Sequence, residues 1–458
     1  MDAVMAFDLG TTHLKWVLME EASGLRISGG QANISPKGTG GVSEQDPEQV
    51  LNIIQDALSV AMSHCRIDRV AFSAAMHTFM AVDSGGRAYT RSWTWMDKRA
   101  QQAARLLRQS EQADLLKQYT GVPVHPMSPL VKWLSIKQWL PAGTRPTSLK
   151  DYVIYHLTGQ WVTDYSTAAA TGFLGLNNCW FPQALAMAGV DANDLPVLAA
   201  MDHRISVPGQ AWTVVVGGSD GACAHRHLQI PADGTMAVLA MGTSGALRTT
   251  VPQPIGNTEL FCYTMGPGQG YLTGSAFSNV GNVLEWLARV FNVDINTIIA
   301  EGLDAARSSR SLPLNLAYWF GERSPWWRDD LRGAWLNIGP EHGRSELAGS
   351  SLLSIAAAYW HGLETLIKAG APIREIRGGS GLLENPIVAQ WMADALEHDI
   401  VLQDEGDASL FGAMDLAGTP GVPRPHHDAT RYRPGDTNVH DRVKDTWQRI
   451  QAWVKSQL

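Results

Sequence analysis

A chain of 458 residues exceeds what one ordinary hydrophobic core serves, so two domains, or three, are expected. Hydrophobic residues at 45% against 17% charged exclude a disordered chain, and a net charge of −8 argues against nucleic acid or an acidic membrane as the main partner. No apolar run is long enough to span a bilayer, and Met1-Asp2-Ala3 begins no basic leader, so neither a membrane span nor a signal peptide is expected.

In chain order, AVMAFDLG (Ala3–Gly10) predicts a buried strand entering a tight turn, and HLKWVLME (His13–Glu20) the strand returning from it. Helical periodicity runs through Ser43–His64, with Asp46-Pro47-Glu48 as its start signal. Arg69–Met76 is strand-like, and residues 98–198 read as mainly helical, an insertion on the first domain. Ala211–Leu228 predicts strand, glycine turn and helix. The opening pattern then returns in MAVLAMGTSGALRTTV (Met236–Val251), so that Gly242-Thr243-Ser244 answers Gly10-Thr11-Thr12. Such a repeat suggests two similar α/β halves, divided near Ile230–Gly234 into 1–232 and 233–458. Arg374–Leu396 gives strand, glycine turn and helix; a loop-rich stretch from Thr419 to Gly435 and a closing helix from Val439 to Gln457 follow.

The cysteines Cys65, Cys179, Cys223 and Cys262 are scattered without a CxxC pair, which reads as reduced thiols in a cytoplasmic protein. His426-His427 has no partner at metal-ligand spacing. The glycine-hydroxyl turns carry more chemistry. Glycine lets an anion approach the backbone amides, Thr and Ser hydroxyls add donors, and Lys15 adds a compact positive charge. That combination suits phosphate, and Asp8 is placed to organise waters around a magnesium ion bound to it. A Walker A pattern occurs nowhere, which argues against a P-loop fold.

Taken together these segments resemble the FGGY family of carbohydrate kinases, within the actin-like ATPase superfamily. Asp8-Leu9-Gly10-Thr11-Thr12-His13-Leu14-Lys15 looks like the first phosphate motif and Met241-Gly242-Thr243-Ser244-Gly245 the second. Trp95-Met96-Asp97-Lys98-Arg99-Ala100 resembles the W-x-D-x-R-A motif on the sugar side. GGSDGACA (Gly217–Ala224) resembles the segment whose aspartate, here Asp220, is the catalytic base. Gly321–Gly333 is similar to the GERxPxW run, and IRGGSGLLENPIVAQWMADAL to the adenosine-side glycine motif. Within the family, Phe72–Arg87 with Ser92–Ala100 looks most like gluconate kinases, with xylulose kinases next.

The resemblance implies an α/β fold of two actin-like (ribonuclease H-like) domains with a nucleotide and sugar cleft between them. It implies ATP and Mg2+ as cofactors, with Asp8 acting on the metal through water. Gly10, Thr11, Thr12, Lys15, Gly242, Thr243, Ser244, Gly281, Gly378 and Gly379 are assigned to ATP, and Met76, His77, Trp95, Asp97 and Arg99 to the sugar. The partner is a small sugar or sugar acid, neither nucleic acid nor membrane, and the chain is expected to be a monomer or homodimer. An acid substrate such as gluconate needs cationic groups; His77, Lys98, Arg99 and Arg323 are the candidates, the bland alternative being that Arg99 pairs with Asp97 to hold its own loop. The chain departs from the family at Ser354, where an acid is usual, at Ser135, and at Leu382-Leu383, where an adenosine-side asparagine is expected.

The implied reaction moves the γ-phosphoryl group of ATP to a sugar hydroxyl, which asks for in-line positioning, charge neutralisation and a base. Two rivals remain at this point. Gly217-Gly218-Ser219-Asp220-Gly221 fits G-x-S-x-G, the nucleophile elbow of a serine hydrolase, with Ser219 as nucleophile. A nucleotide-switched assembly protein would keep both phosphate turns but has no use for Trp95–Ala100.

Overall fold

The computed structural model describes residues 2–308, 311–379, 381–402, 406–419, 422 and 429–457, so His426-His427 lies outside the described residues. The chain forms two compact units. The first takes Met1–Ile230 and also Cys262–Leu272 and Gly406–Arg424; the second takes Pro231–Phe261, Thr273–Glu405 and Pro425–Leu458. Two later segments therefore rejoin the first unit, a return that local pattern in the sequence does not signal.

The first unit is built on a six-stranded sheet among the described residues, ordered Arg204–Ser206, Thr213–Ser219, Arg66–Ala74, Asp2–Leu9, His13–Glu20, Arg26–Asn33. Asp2–Leu9 pairs antiparallel with His13–Glu20 and parallel with Arg66–Ala74, which in turn pairs parallel with Thr213–Ser219. Side chains alternate across a strand. On Asp2–Leu9 the odd residues Ala3, Met5, Phe7 and Leu9 enter one core cluster, with Val50, Ile54 and Leu58 of the helix Pro47–Met62. Even residues Val4 and Ala6 enter a second, with Ala222 and Cys223 of the helix Asp220–His227 and Leu410, Ala413 and Met414 of the helix Ala408–Leu416. Phe7 and Phe72 stack at 5.7 Å between centroids, each fully buried. Burying a phenylalanine contributes roughly 1.5–3 kcal/mol.

Asp46 caps the helix Pro47–Met62 by accepting from the Glu48 and Gln49 amides, with Pro47 in the first turn. The helix begins where the Asp46-Pro47-Glu48 signal places it, and Glu44–Gln45 ahead of it pairs with Ser92–Trp93. Between residues 98 and 198 the chain is mainly helical, including Gln101–Arg108, Gln112–Thr120, Pro129–Ile136, Leu149–Thr158 and Pro182–Ala188.

The second unit carries the strands Gly245–Val251, Met236–Met241, Glu375–Gly378, Ile400–Leu402 and Thr430–Tyr432, neighbours in that order in one sheet. Met236–Met241 pairs antiparallel with Gly245–Val251 and parallel with Glu375–Gly378, repeating the pattern of the first sheet. The helix Arg344–Lys368 packs on it, with Tyr359 donating to Ala240 O at 2.7 Å. Ser354 lies on this helix and donates to Asn315 O at 2.8 Å, a hydrogen bond an acid there would not make when ionised. Among the described residues no helix is long and apolar enough to cross a membrane.

Candidate active site

Strand alternation places Asp8 on the Val4–Ala6 face, under the helices Asp220–His227 and Ala408–Leu416. Its Oδ2 accepts from Ser409 Oγ at 2.8 Å. Its Oδ1 is buried with no hydrogen-bond partner among the described residues. Burial pushes the Asp8 carboxyl up to about 6; the Ser409 hydroxyl opposes that shift, and the negative charge of nearby Asp220 adds to it. The first unit thus brings the two carboxylates Asp8 and Asp220 into one electrostatic neighbourhood. An orphaned buried carboxylate oxygen costs free energy unless a cation or ordered water completes it, so Asp8 fits a magnesium-bound water.

Asp220 opens its helix and accepts from the Gly221 amide at 2.8 Å. The strand before it leaves regular register between Val215 and Gly218. Gly217, with φ of 73°, makes that exit: a Cβ there would sit 1.6 Å from Phe72 O. Ser219 is 1% exposed, and its Oγ accepts from the Ala222 amide as the cap of its own helix. A buried capping hydroxyl is not the exposed nucleophile of an elbow, which removes the serine hydrolase reading.

The first turn is braced from below. Gly10 N donates to His13 O at 3.1 Å, and Gln45 Nε2 donates to Gly10 O and Thr11 O at 3.0 and 2.9 Å. Trp95 Nε1 reaches Thr11 Oγ1 at 3.3 Å, so the structure brings the sugar-side tryptophan against the phosphate turn; Thr12 is exposed. Lys15, the cross-strand neighbour of Asp8, ion-pairs with Asp407 at 2.6 Å.

Met76 and His77 form the turn after Arg66–Ala74. His77 holds a left-handed φ of 63°, which a non-glycine residue adopts only when its surroundings enforce it. Its Nδ1 bonds Ala170 O at 2.9 Å, and its ring meets Tyr263 edge-on, with Nε2 3.5 Å from the phenol oxygen. Lys132, fully buried, donates to His77 O at 2.7 Å and Thr94 O at 2.8 Å, tying the two sugar-side segments together. Burial pushes its ammonium down to about 7, opposed by the Asp97 charge. Asp97 is buried, accepts from Ser43 N at 2.8 Å, and grips Arg99, whose Nη2 also reaches Glu44 at 2.7 Å over the face of Trp93. Asp97 and Arg99 therefore brace the loop on which Trp95 sits. In the second unit Arg323 donates to Phe277 O at 2.5 Å and Ser278 Oγ at 3.3 Å.

The second turn is built without charge. Gly242 N donates to Ser244 O at 3.0 Å, while Gly281 N and Asn282 N donate to Gly242 O and Thr243 O at 3.0 and 3.1 Å. The glycine run after Glu375–Gly378 lies against the same strand end. Cβ atoms on Gly378 and Gly381 would stand 2.8 Å from Leu239 O and 2.4 Å from Met241 O. Gly242–Ser244, Gly281 and Gly381 are thus neighbours within the second unit, with Gly378 against the strand that enters the turn. Asn385, which follows Leu382-Leu383, is committed to capping the helix Pro386–Leu396.

Residues 3–217 match the N-terminal domain of the FGGY family of carbohydrate kinases, and residues 237–419 its C-terminal domain. The chain belongs to the FGGY family of carbohydrate kinases. A gluconokinase of Bacillus subtilis is 27% identical, covering 97% of this chain and 92% of the relative; a xylulose kinase of Lactococcus lactis is 24% identical, covering 98% and 96%. The crystal structure of a ligand-bound xylulose kinase from Lactobacillus acidophilus superposes with a TM-score of 0.89 at 24% identity, covering 99% of each chain, which shows the shared two-domain fold. This FGGY protein is accordingly a sugar kinase, acting on a small-molecule sugar with ATP as phosphate donor. Gln45, Asp407, Ser409 and Tyr263 are site neighbours that sequence reasoning missed; each reaches the motifs from a remote or unpatterned segment.

Proposed function

We propose that this kinase phosphorylates a sugar acid, D-gluconate, to 6-phosphogluconate. Asp220 takes the proton of the acceptor hydroxyl as that oxygen bonds the γ-phosphorus and the bond to the β–γ bridging oxygen breaks, releasing ADP. Gly10, Thr11, Thr12 and Lys15 of the first unit, and Gly242, Thr243, Ser244, Gly281, Gly378 and Gly379 of the second, serve the nucleotide. Asp8 would hold magnesium through water, and the metal would supply charge neutralisation on the phosphates. Lys15 exchanges Asp407 for phosphate when nucleotide binds.

Met76, His77 and Trp95 serve the sugar. The cationic candidates for the substrate carboxylate are His77, Lys98, Arg99 and Arg323; Arg99 already pairs with Asp97 and Glu44, and Arg323 donates to Phe277 O and Ser278 Oγ. The observation that carries the sugar assignment is the greater identity to gluconokinase than to xylulose kinase over nearly the whole chain. Xylulose is the second reading, supported by the 24% relative.

A coupled ADP-release assay with gluconate, xylulose, ribulose and glycerol decides it. Gluconate is expected to give the highest kcat/KM by at least tenfold. Xylulose in first place rejects the sugar assignment and leaves the kinase chemistry intact.

A further inference from the structure

A buried polar chain in the first unit ends on the turn that carries Asp220, and the phosphoryl-transfer chemistry above uses none of its members. Lys150 Nζ lies 3.1 Å from Asp151 Oδ1, 3.0 Å from Asp164 Oδ2 and 3.4 Å from Val216 O. The side chains of Lys150 and Asp164 have no exposed surface. Burial alone would push the Lys150 ammonium down, but the Asp151 and Asp164 carboxylates outweigh it and hold it above its ordinary value. Asp164 Oδ1 accepts from Ser166 Oγ at 2.5 Å and from the Ser166 and Thr167 amides at 2.8 and 3.0 Å. Ser166 Oγ in turn accepts from the Ser219 amide at 2.9 Å. Ser219 immediately precedes Asp220.

Capping the short helix Tyr165–Ala169 accounts for the two amide bonds to Asp164 and for nothing else in this chain. It needs neither the ion pair with Lys150 nor the bond from Ser166 to Ser219. Buried ion pairs are often no more stabilising than apolar packing, so stability is a weak reason for this one. Position is a better reason. Gly217 and Gly218 lack side chains to lock the strand exit, and Lys150 and Ser166 hold that exit on both sides, at Val216 O and at Ser219 N.

We propose that Ser166, oriented by Asp164 and anchored through Lys150, is a positioning residue that fixes the Asp220 carboxylate for proton abstraction. The inference rests on the reading of Asp220 as the base. A base displaced by a fraction of an ångström loses rate without losing substrate affinity.

The test is steady-state kinetics of full-length S166A, D220N and the double variant. S166A is expected to lower kcat by 10- to 30-fold with KM for ATP and sugar within twofold of wild type, and to leave the residual rate of D220N unchanged. S166C, which keeps the volume with a poorer acceptor, is expected to fall between wild type and S166A and serves in its place if S166A does not fold. A kcat within twofold of wild type in both variants overturns the proposal, as does an S166A effect equally large in the D220N background. Wild-type activity in D220N is a separate result: it overturns the base assignment itself.

Discussion

The two glycine-hydroxyl turns share a strand order and differ in charge. At the first, Asp8 faces Lys15 across the hairpin; at the second, the equivalent pair is Ala240 and Ala246. The first is flanked by Asp220 and covered by the helix Ala408–Leu416, whereas the second is flanked by Gly281, Gly378 and Gly381. One architecture therefore supports two kinds of site. Small neutral residues let backbone approach a ligand closely, and charged residues under helices supply acid–base and metal chemistry. On the proposed reading both turns serve the nucleotide while the acid–base and metal chemistry falls to the first alone, and each assignment has a variant that breaks it.

The largest expected effect is at Asp220. D220N should lower kcat by about 10³-fold while fluorescent-nucleotide titration shows ATP affinity within about threefold, since a general base contributes roughly 10²–10⁴-fold. Loss of nucleotide binding instead would mean that the residue belongs with the phosphate turns. Next, D8N should lower kcat by about 10²-fold and raise the magnesium concentration needed for half-maximal rate. The wild-type kcat/KM should fall as pH drops through about 6, where Asp8 protonates, and this limb should be missing from D8N. An enzyme whose acid limb is identical in D8N would place the titrating group elsewhere.

Stability sharpens the same contrast. Asp8 has a raised pKa, so its ionisation adds no penalty below about pH 4, an increasing one between about pH 4 and 6, and a constant one above. D8N should therefore unfold at higher denaturant than wild type at pH 7.5, by about 3 kcal/mol, and the gap should close at pH 4. In the second turn, G245A should cost about 1–3 kcal/mol, because its Cβ would stand 1.7 Å from Tyr359 Oη. G242A meets nothing nearer than Ser244 O at 3.6 Å, so it should keep wild-type stability and raise KM for ATP. The smallest effect is expected from D407A. Lys15 and Asp407 are each 39% exposed, and such a pair contributes no more than about 1 kcal/mol. A melting temperature far below wild type would show Asp407 bracing more than Lys15.

Much of this was legible before any coordinates. Alternation and turn chemistry located both hairpins, the capping signal at Asp46-Pro47 located the first helix within a few residues, and the repeat of Gly-Thr-Ser after Gly-Thr-Thr announced two related units. Local rules suffice there because hairpins and caps are decided by neighbours a few residues apart. What surrounds Asp8 was not legible. Ser409 and Asp407 stand some four hundred residues further along the chain, on a helix whose apolar residues would suit any core. Likewise Gln45 reads as one polar residue among many until its amide is seen bridging Gly10 O and Thr11 O.

By itself, then, the amino-acid order determined the strands, helices and turns of each unit, because backbone preference and hydrophobic period act over short range. Only the tertiary structure decided which carboxylates share a face, which cations are already paired, and which hydroxyl of Gly-Gly-Ser-Asp is buried as a cap. Those outcomes depend on chain segments that return from hundreds of residues away, and on the burial they impose when they arrive.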